Sequence, residues 1–279
     1  MHLVTYNSAG GPRAGVLRGQ EVVDAWDALG GGGEGMRELL ASQRLGELED
    51  RVAAAEPMAL AEVELLTPVP DPEKIIGIGL NYAEHAREGR QEPPSSPTFF
   101  AKFRNALRAD GDTVALPAAS SKVDFEAEIA FVIGRRAKDV EAADAIDQIA
   151  GYTLLNDLSA RDLQFATPQW MPGKVFDGAA PCGPAIVTPD EAGPADELGI
   201  ALDLNGERMQ EATSADLIFS IPELVAHLSS LMTLEPGDIV ATGTPAGVGG
   251  AREPRVWLKP GDELVVSSPQ LGRLVTRIG

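Results

Sequence analysis

Between Val123 and Ile133 the chain reads Val-Asp-Phe-Glu-Ala-Glu-Ile-Ala-Phe-Val-Ile. This apolar, strand-like run carries Glu126 and Glu128 two positions apart. Side chains alternate faces along a strand, so residues i and i+2 share a face, with Cα atoms roughly 6.6 Å apart. Phe125, Ala127, Ile129 and Phe131 then line the opposite face. A buried carboxylate pair needs a proton, a cationic partner or a metal. An all-oxygen ligand set suits a hard divalent ion such as Mg²⁺. From these residues alone a second reading stays open: a solvated edge strand with two surface glutamates.

The rest of the chain bounds the context. It has 279 residues, enough for one large domain or one with a smaller companion. The formal net charge of −19 argues against nucleic acid and against anionic membrane surfaces as partners. It also makes each cation inside a motif informative, and an anionic substrate would need local positive charge. No run is apolar enough to span a membrane and the N-terminus lacks a signal-like core, so the chain reads as cytoplasmic. Cys182 is the single cysteine, which excludes an intrachain disulfide and a cysteine zinc site. A catalytic thiol stays possible, although the Ala-Ala-Pro-Cys-Gly-Pro context fits a small buried residue better.

The pattern predicts an α+β, mostly β protein with a small N-terminal domain over 1–66 and a catalytic domain over 67–279. Short strands are expected at Leu3–Tyr6, Gly15–Leu17 and Glu21–Asp24. Met36 to Val52 has helical spacing. Thr67-Pro-Val-Pro-Asp-Pro72 marks the boundary. Beyond it, strands are expected at Lys74–Gly79, Ile129–Ile133, Gly151–Asn156, Ala185–Val187, Ile200–Leu204, Asp238–Thr242, Val256–Lys259 and Asp262–Val266. Asn205-Gly206 signals a hairpin turn. Helices are expected over Val140–Ala150 and Ser220–Leu231.

Four further segments carry chemistry. In Asn81-Tyr-Ala-Glu-His85-Ala-Arg-Glu88, a helix over 82–89 puts His85 and Glu88 on one face. A carboxylate beside an imidazole fixes its tautomer and raises its basicity, as a water-activating base requires. An exposed helix with a chance spacing is the alternative. In Asn156-Asp157-Leu-Ser-Ala-Arg161-Asp-Leu-Gln164, Asp157 could be a third metal ligand, with Arg161 and Gln164 as substrate donors. A helix cap at Asp157 is the alternative there. Gly173-Lys174-Val-Phe-Asp177 presents a lone lysine between turns. Thr242-Gly-Thr244-Pro-Ala-Gly-Val-Gly249 is a glycine-rich loop leaving a strand, in itself a weak sign of anion binding.

Together, in this order over about residues 67–279, these segments resemble the fumarylacetoacetate hydrolase family. The resemblance implies the family's mixed β-roll catalytic domain, preceded by a small N-terminal α+β domain, in a homodimer. It implies Mg²⁺ or Mn²⁺ held by Glu126, Glu128 and Asp157, and a catalytic His85–Glu88 dyad on a mobile lid. Lys174 and Gln164 match positions that contact the substrate or stabilise the oxyanion. Arg161, Thr244 and Lys102 match substrate-contact or near-site positions. The family often has proline after the last of these, where this chain has Phe103. The stretch Ile76–Leu80 lacks the extra acidic ligand of the larger animal hydrolases, so the chain resembles the three-carboxylate subgroup.

The activity implied is metal-dependent hydrolysis of a C–C bond in a 1,3-dicarbonyl or 2-oxoacid of acylpyruvate type, with a small anionic 2-oxoacid as ligand. Decarboxylation or isomerisation of a 2-oxo di- or tricarboxylic acid at the same site is an alternative. A non-catalytic protein binding an acidic small molecule is another, and a hydrolase built on Cys182 a third.

Overall fold

A computed structural model describes residues 1–279. Its frame is a mixed 12-stranded sheet. Strand Ala127–Ile133 lies near the middle, antiparallel to Ile149–Asn156 on one side and to Ile239–Ala241 on the other. Every residue of Ala127–Ile133 is buried, which explains why the sequence there is continuously apolar and not simply alternating. Ile239–Ala241 then runs parallel to Ile75–Gly79, and Thr98–Lys102 closes that edge.

On the other side, Ile149–Asn156 pairs with Ala180–Val187, and this strand pairs with His2–Ser8 through Leu3 opposite Ile186. The N-terminal strands thus extend the central sheet. Leu3, Met36, Leu39 and Leu48 share one apolar core with Ile129 and Phe131. A second, five-stranded sheet includes Gly199–Leu204, Glu207–Thr213, Glu263–Ser268 and Gly272–Ile278. Its last strand packs against Ala180–Val187. The architecture is the mostly-β α+β class expected. No helix is long and apolar enough to cross a membrane.

Several local expectations hold for the reasons given. Asn205 and Gly206 both have positive φ (53° and 85°), as a type I′ hairpin between Gly199–Leu204 and Glu207–Thr213 requires. Helix Ile221–Leu231 begins with Pro222 in its first turn, and the Glu223 carboxylate accepts the Ser220 N–H at 2.8 Å.

Others are corrected. The 36–52 pattern is two helices, Met36–Ser42 and Leu45–Val52, broken at left-handed Gln43. The Gln43 amide donates to Leu40 O and Gly134 O, tying the break to the central sheet. Val140–Ala150 is not an α-helix. Ile149 and Ala150 are taken into the Ile149–Asn156 strand by pairing with Ile133, and only two short 3₁₀ turns fit before them. Val256–Lys259 is extended, but it belongs to no strand; Leu258 N–H reaches Val123 O at 2.9 Å. The Val123–Ile133 run is itself interrupted: Val123–Asp124 and Ala127–Ile133 are strands, while Phe125 and Glu126 leave the ladder.

Asp24 is the polar centre of the N-terminal segment. It caps helix Ala25–Ala28 by accepting Asp27 N–H at 2.7 Å. It also accepts the Tyr6 hydroxyl (2.5 Å) and two Arg13 donors (2.5 and 2.9 Å). Burial opposes its charge, but these donors outweigh burial and hold the carboxyl below the usual range. Asp24→Asn is therefore expected to cost about 2–3 kcal/mol of unfolding free energy at neutral pH. A depressed folded pKa gives stability that is present above the unfolded value near ~3.9 and lost as pH falls through the folded one. Urea midpoints of the two proteins should thus differ at pH 7 and converge as the pH falls below the ordinary carboxyl range. Equal midpoints at pH 7 would refute the assignment.

Candidate functional site

Glu126 precedes the central strand, Glu128 lies on it, and Asp157 follows the end of its neighbour Ile149–Asn156. Asp157 N–H donates to Glu126 O at 2.8 Å, which fixes the two chain segments together. One carboxylate oxygen from each residue lies within 4.8 Å of the others, and all three residues are buried. The break at Phe125–Glu126 does not separate the pair. Glu126 N–H is taken by Asn156 Oδ1 and Ala127 N–H by Gln210 Oε1, so side chains replace the missing ladder partners.

Three cations meet this acid cluster. Lys174 Nζ donates to Glu126 (2.6 Å) and Asp157 (2.8 Å). Lys102 Nζ donates to Asp157 (2.5 Å) and to the Lys174 carbonyl (2.5 Å). Arg161 pairs with Glu126 (2.6 Å) and Asp124 (2.9 Å). Burial works against the charge on Glu126, yet Lys174 and Arg161 overcome it and hold its carboxyl far below the usual range. Glu128 behaves oppositely. Burial first, then Asp157 and Glu126, push its carboxyl well above the usual range, and its one donor is Gly243 N–H at 2.8 Å.

The donor set fits a divalent metal. It is all oxygen, its atoms converge, and Glu128 is a buried carboxyl with no cation bonded to it.

His85 and Glu88 lie on the short helix Ala83–Glu88 and meet at 2.9 Å, Nδ1 to Oε1. The Glu88 carboxylate also accepts Gly247 N–H (2.9 and 3.1 Å). The glycine-rich loop therefore does bind anions, and they are the chain's own. Gly243 N–H holds Glu128, Gly247 N–H holds Glu88, and Gly249 and Gly250 N–H hold Asp124 at 2.7 and 2.9 Å. Glycine is required at 247: its φ is +106°, and a Cβ would lie 2.2 Å from Met209 O.

A cavity of about 670 Å³ joins these groups. His85, Glu88, Glu126, Glu128, Arg161, Gln164, Lys174 and Thr244 all line it. Lys102 and Asp157 do not reach its wall; Lys102 is fully enclosed behind the Asp157 carboxylate, so the position expected to contact substrate is a buried counter-ion. Arg161 lines the cavity; its Nε donates to Asp124 and its Nη1 to Gln164 and pairs with Glu126, while its buried Nη2 lies 2.9 Å from Asp124 without a hydrogen bond. Trp170 packs edge-on to Phe100 (6.1 Å between centroids), and Lys174 Nζ lies 5.1 Å from the Phe100 ring centre.

Sequence reasoning missed Asp124, Gln210 and Arg252 as parts of the site. Asp124 stood inside the strand-like run as a flanking residue, and only the fold brings Gly249 and Gly250 to it. Gln210 bridges Ala127 N–H to Thr244 Oγ1 and Pro245 O across the loop. Arg252 donates to Gly247 O and Met209 O. No spacing rule marks either residue. Cys182 is fully buried in strand Ala180–Val187, away from the cavity, and burial pushes its thiol up to about 12. A thiolate nucleophile has no basis there.

Fold and site define a mixed-β protein with a buried carboxylate triad, two of whose members line the same cavity as a histidine–glutamate pair. The family model described as fumarylacetoacetate (FAA) hydrolase C-terminal matches residues 74–279. The chain belongs to the fumarylacetoacetate hydrolase family, a family of enzymes. The oxaloacetate tautomerase FAHD2B, mitochondrial, of Bos taurus is 42% identical over 220 residues, 78% of this chain and 70% of that protein. A putative HpcE protein from Mycobacterium smegmatis superposes with a TM-score of 0.88 at 34% identity, covering 100% of this chain and 99% of that one. Maleylpyruvate hydrolase from Sphingobium sp. SYK-6, solved in complex with manganese(II) and pyruvate, gives 0.82 at 33% identity, covering 100% and 98%.

Proposed function

We propose that the protein is a divalent-metal-dependent hydrolase that cleaves a C–C bond in an acylpyruvate-like 2-oxoacid. The observation that carries this reading is the His85–Glu88 pair, held on the cavity wall by Gly247 N–H in the cavity that Glu126 and Glu128 also line. Mg²⁺ or Mn²⁺ held by Glu126, Glu128 and Asp157 would supply Lewis-acid polarisation of the 2-oxoacid carbonyl.

The chain's own groups take the remaining roles. With Nδ1–H donated to Glu88, His85 is in the tautomer whose Nε2 is free to remove a proton from water. Two of the three Lys174 ammonium protons are engaged by Glu126 and Asp157, which leaves one for an oxyanion. Gln164 Oε1 accepts from Arg161, so its amide N–H₂ is the group left to donate toward the same oxygen. Arg161 acts by holding Gln164 and Glu126 in place. Thr244 Oγ1 accepts from Gln210, which leaves its hydroxyl proton for a substrate carboxylate.

A second reading uses the same site without activating water: tautomerisation or decarboxylation of an oxaloacetate-type acid. The name of the bovine relative favours it. Turnover of acetylpyruvate and oxaloacetate, each with Mg²⁺ and with EDTA, separates the two. Metal-dependent acetate and pyruvate from the first substrate are expected. Tautomer exchange or CO₂ from oxaloacetate alone would shift the assignment to the second reading.

A further inference from the structure

Strand Glu207–Thr213 is irregular against its partner. Leu202 lies opposite Gln210 and Asp203 opposite Arg208, so Met209 is an extra residue. A bulge interrupts the alternation of faces, and Met209 and Gln210 are both buried although they are adjacent. Both meet the glycine-rich loop. Met209 O accepts Arg252 Nη2 at 2.6 Å, and the same guanidinium donates through Nε to Gly247 O at 3.0 Å. The Gln210 side chain joins the start of that loop to the central strand, at Ala127 between Glu126 and Glu128.

The partners of Gln210 decide which end of its amide is which. Ala127 N–H can only donate, so Oε1 faces it, at 2.9 Å. Pro245 O can only accept, so Nε2 faces it, at 2.8 Å. The second Nε2 hydrogen goes to Thr244 Oγ1, also at 2.8 Å. The amide nitrogen has no hydrogen to spare and accepts none. Thr244 Oγ1 is therefore an acceptor on the Gln210 side, and its own hydrogen must leave in another direction. That hydroxyl makes no other hydrogen bond within the chain, and Thr244 lines the cavity.

We propose that Gln210 is a positioning residue of the active site: it aims the Thr244 hydroxyl proton into the cavity, toward the carboxylate of a bound 2-oxoacid. This rests on the reading of Thr244 as a 2-oxoacid contact. An amide is needed because it combines one acceptor for Ala127 N–H with two donors for the loop. In Gln210→Glu a charged carboxylate still accepts Ala127 N–H. It also draws the Thr244 hydrogen to itself, which leaves a hydroxyl lone pair, and no proton, for the ligand. The bulge at Met209 is what lets one strand supply both the Arg252 contact and this amide to the loop.

Pyruvate is the probe, with its Kd measured by calorimetry on the Mn²⁺-loaded protein, so turnover is not required. Gln210→Glu is expected to weaken pyruvate binding by about tenfold or more. Gln210→Met, of similar length and without charge, should weaken it by roughly threefold or more, because the hydroxyl is no longer aimed. Each substitution is then repeated in Thr244→Val. There neither should change the pyruvate Kd by more than about twofold, since the group they act through is gone. A loss of the same size in both backgrounds would overturn the proposal, because charge repulsion or a general loosening of the site does not need Thr244. Unchanged pyruvate binding in both Gln210 variants would overturn it as well. Loss of Mn²⁺ binding in both would place the role of Gln210 on the Ala127 strand and not on Thr244. Undiminished pyruvate binding in Thr244→Val would remove the Thr244 contact and the proposal together, and leave the rest of the 2-oxoacid site standing. A parent protein that binds Mn²⁺ but not pyruvate would overturn the 2-oxoacid reading itself.

Discussion

Glu128→Gln is expected to abolish divalent-metal binding and turnover together, while raising the melting temperature of the metal-free protein. The two effects have one cause. Glu128 is a buried carboxylate beside Glu126 and Asp157, with no cation bonded to it. Without a metal it is a liability to the fold; with one it would be a ligand. Glutamine keeps an oxygen for Gly243 N–H and removes the ionisable group. The raised folded pKa sets the sign with pH. The cost of Glu128 is absent below the ordinary carboxyl value near ~4.3 and grows as pH rises through it toward the folded value. The stability gap between variant and parent should therefore be widest at neutral pH, and small near pH 4. Each kcal/mol relieved corresponds to roughly 2–4 °C in Tm for a chain approaching this size. Metal should raise the Tm of the parent, by about 2.7 kcal/mol of stabilisation at 100-fold excess over Kd, and leave the variant unmoved. Thermal melts with EDTA and with Mn²⁺ read all of this without an activity assay. A variant that melts lower than the parent in EDTA would show that Glu128 is neutralised in some other way.

His85→Ala is expected to lower kcat for acylpyruvate hydrolysis by about 10²–10⁴-fold, the usual worth of a positioned general base. The metal-induced rise in Tm should survive, because His85 is not one of the three proposed ligands. Glu88 is bonded both to His85 and to Gly247 N–H, so Glu88→Gln should retain the helix position through the loop contact and weaken the carboxylate contact that orients the imidazole. The size of the loss separates the two variants: kcat should fall further in the first, which has no imidazole, than in the second. Undiminished hydrolysis in His85→Ala would remove the base assignment and favour the reading in which no water is activated.

Much of this was written locally in the chain. The acid pair at 126 and 128, Asp157 ending the next strand, and His85 three residues before Glu88 are short-range patterns, and strand alternation and helical spacing read them directly. The hairpin at Asn205-Gly206 is legible for the same reason: few residues tolerate two consecutive positive φ angles. The helix expected over Val140–Ala150 failed because its last residues pair with Ile133, and a partner that remote leaves no mark in a local window.

By itself, then, the sequence determined the fold class and the presence of the acid pair and of the histidine–glutamate pair, since each depends on local patterns of residues. Only the tertiary structure decided how the charges are shared. It placed Lys102 behind Asp157, bound Arg161 to Asp124 and Glu126, left Glu128 without a counter-ion, and brought Gly243, Gly247 and Gly249 of one loop onto three separate carboxylates. Electrostatic pairing in a buried site depends on through-space distance and solvent exclusion, and segments more than a hundred residues apart in the chain meet here within hydrogen-bond reach.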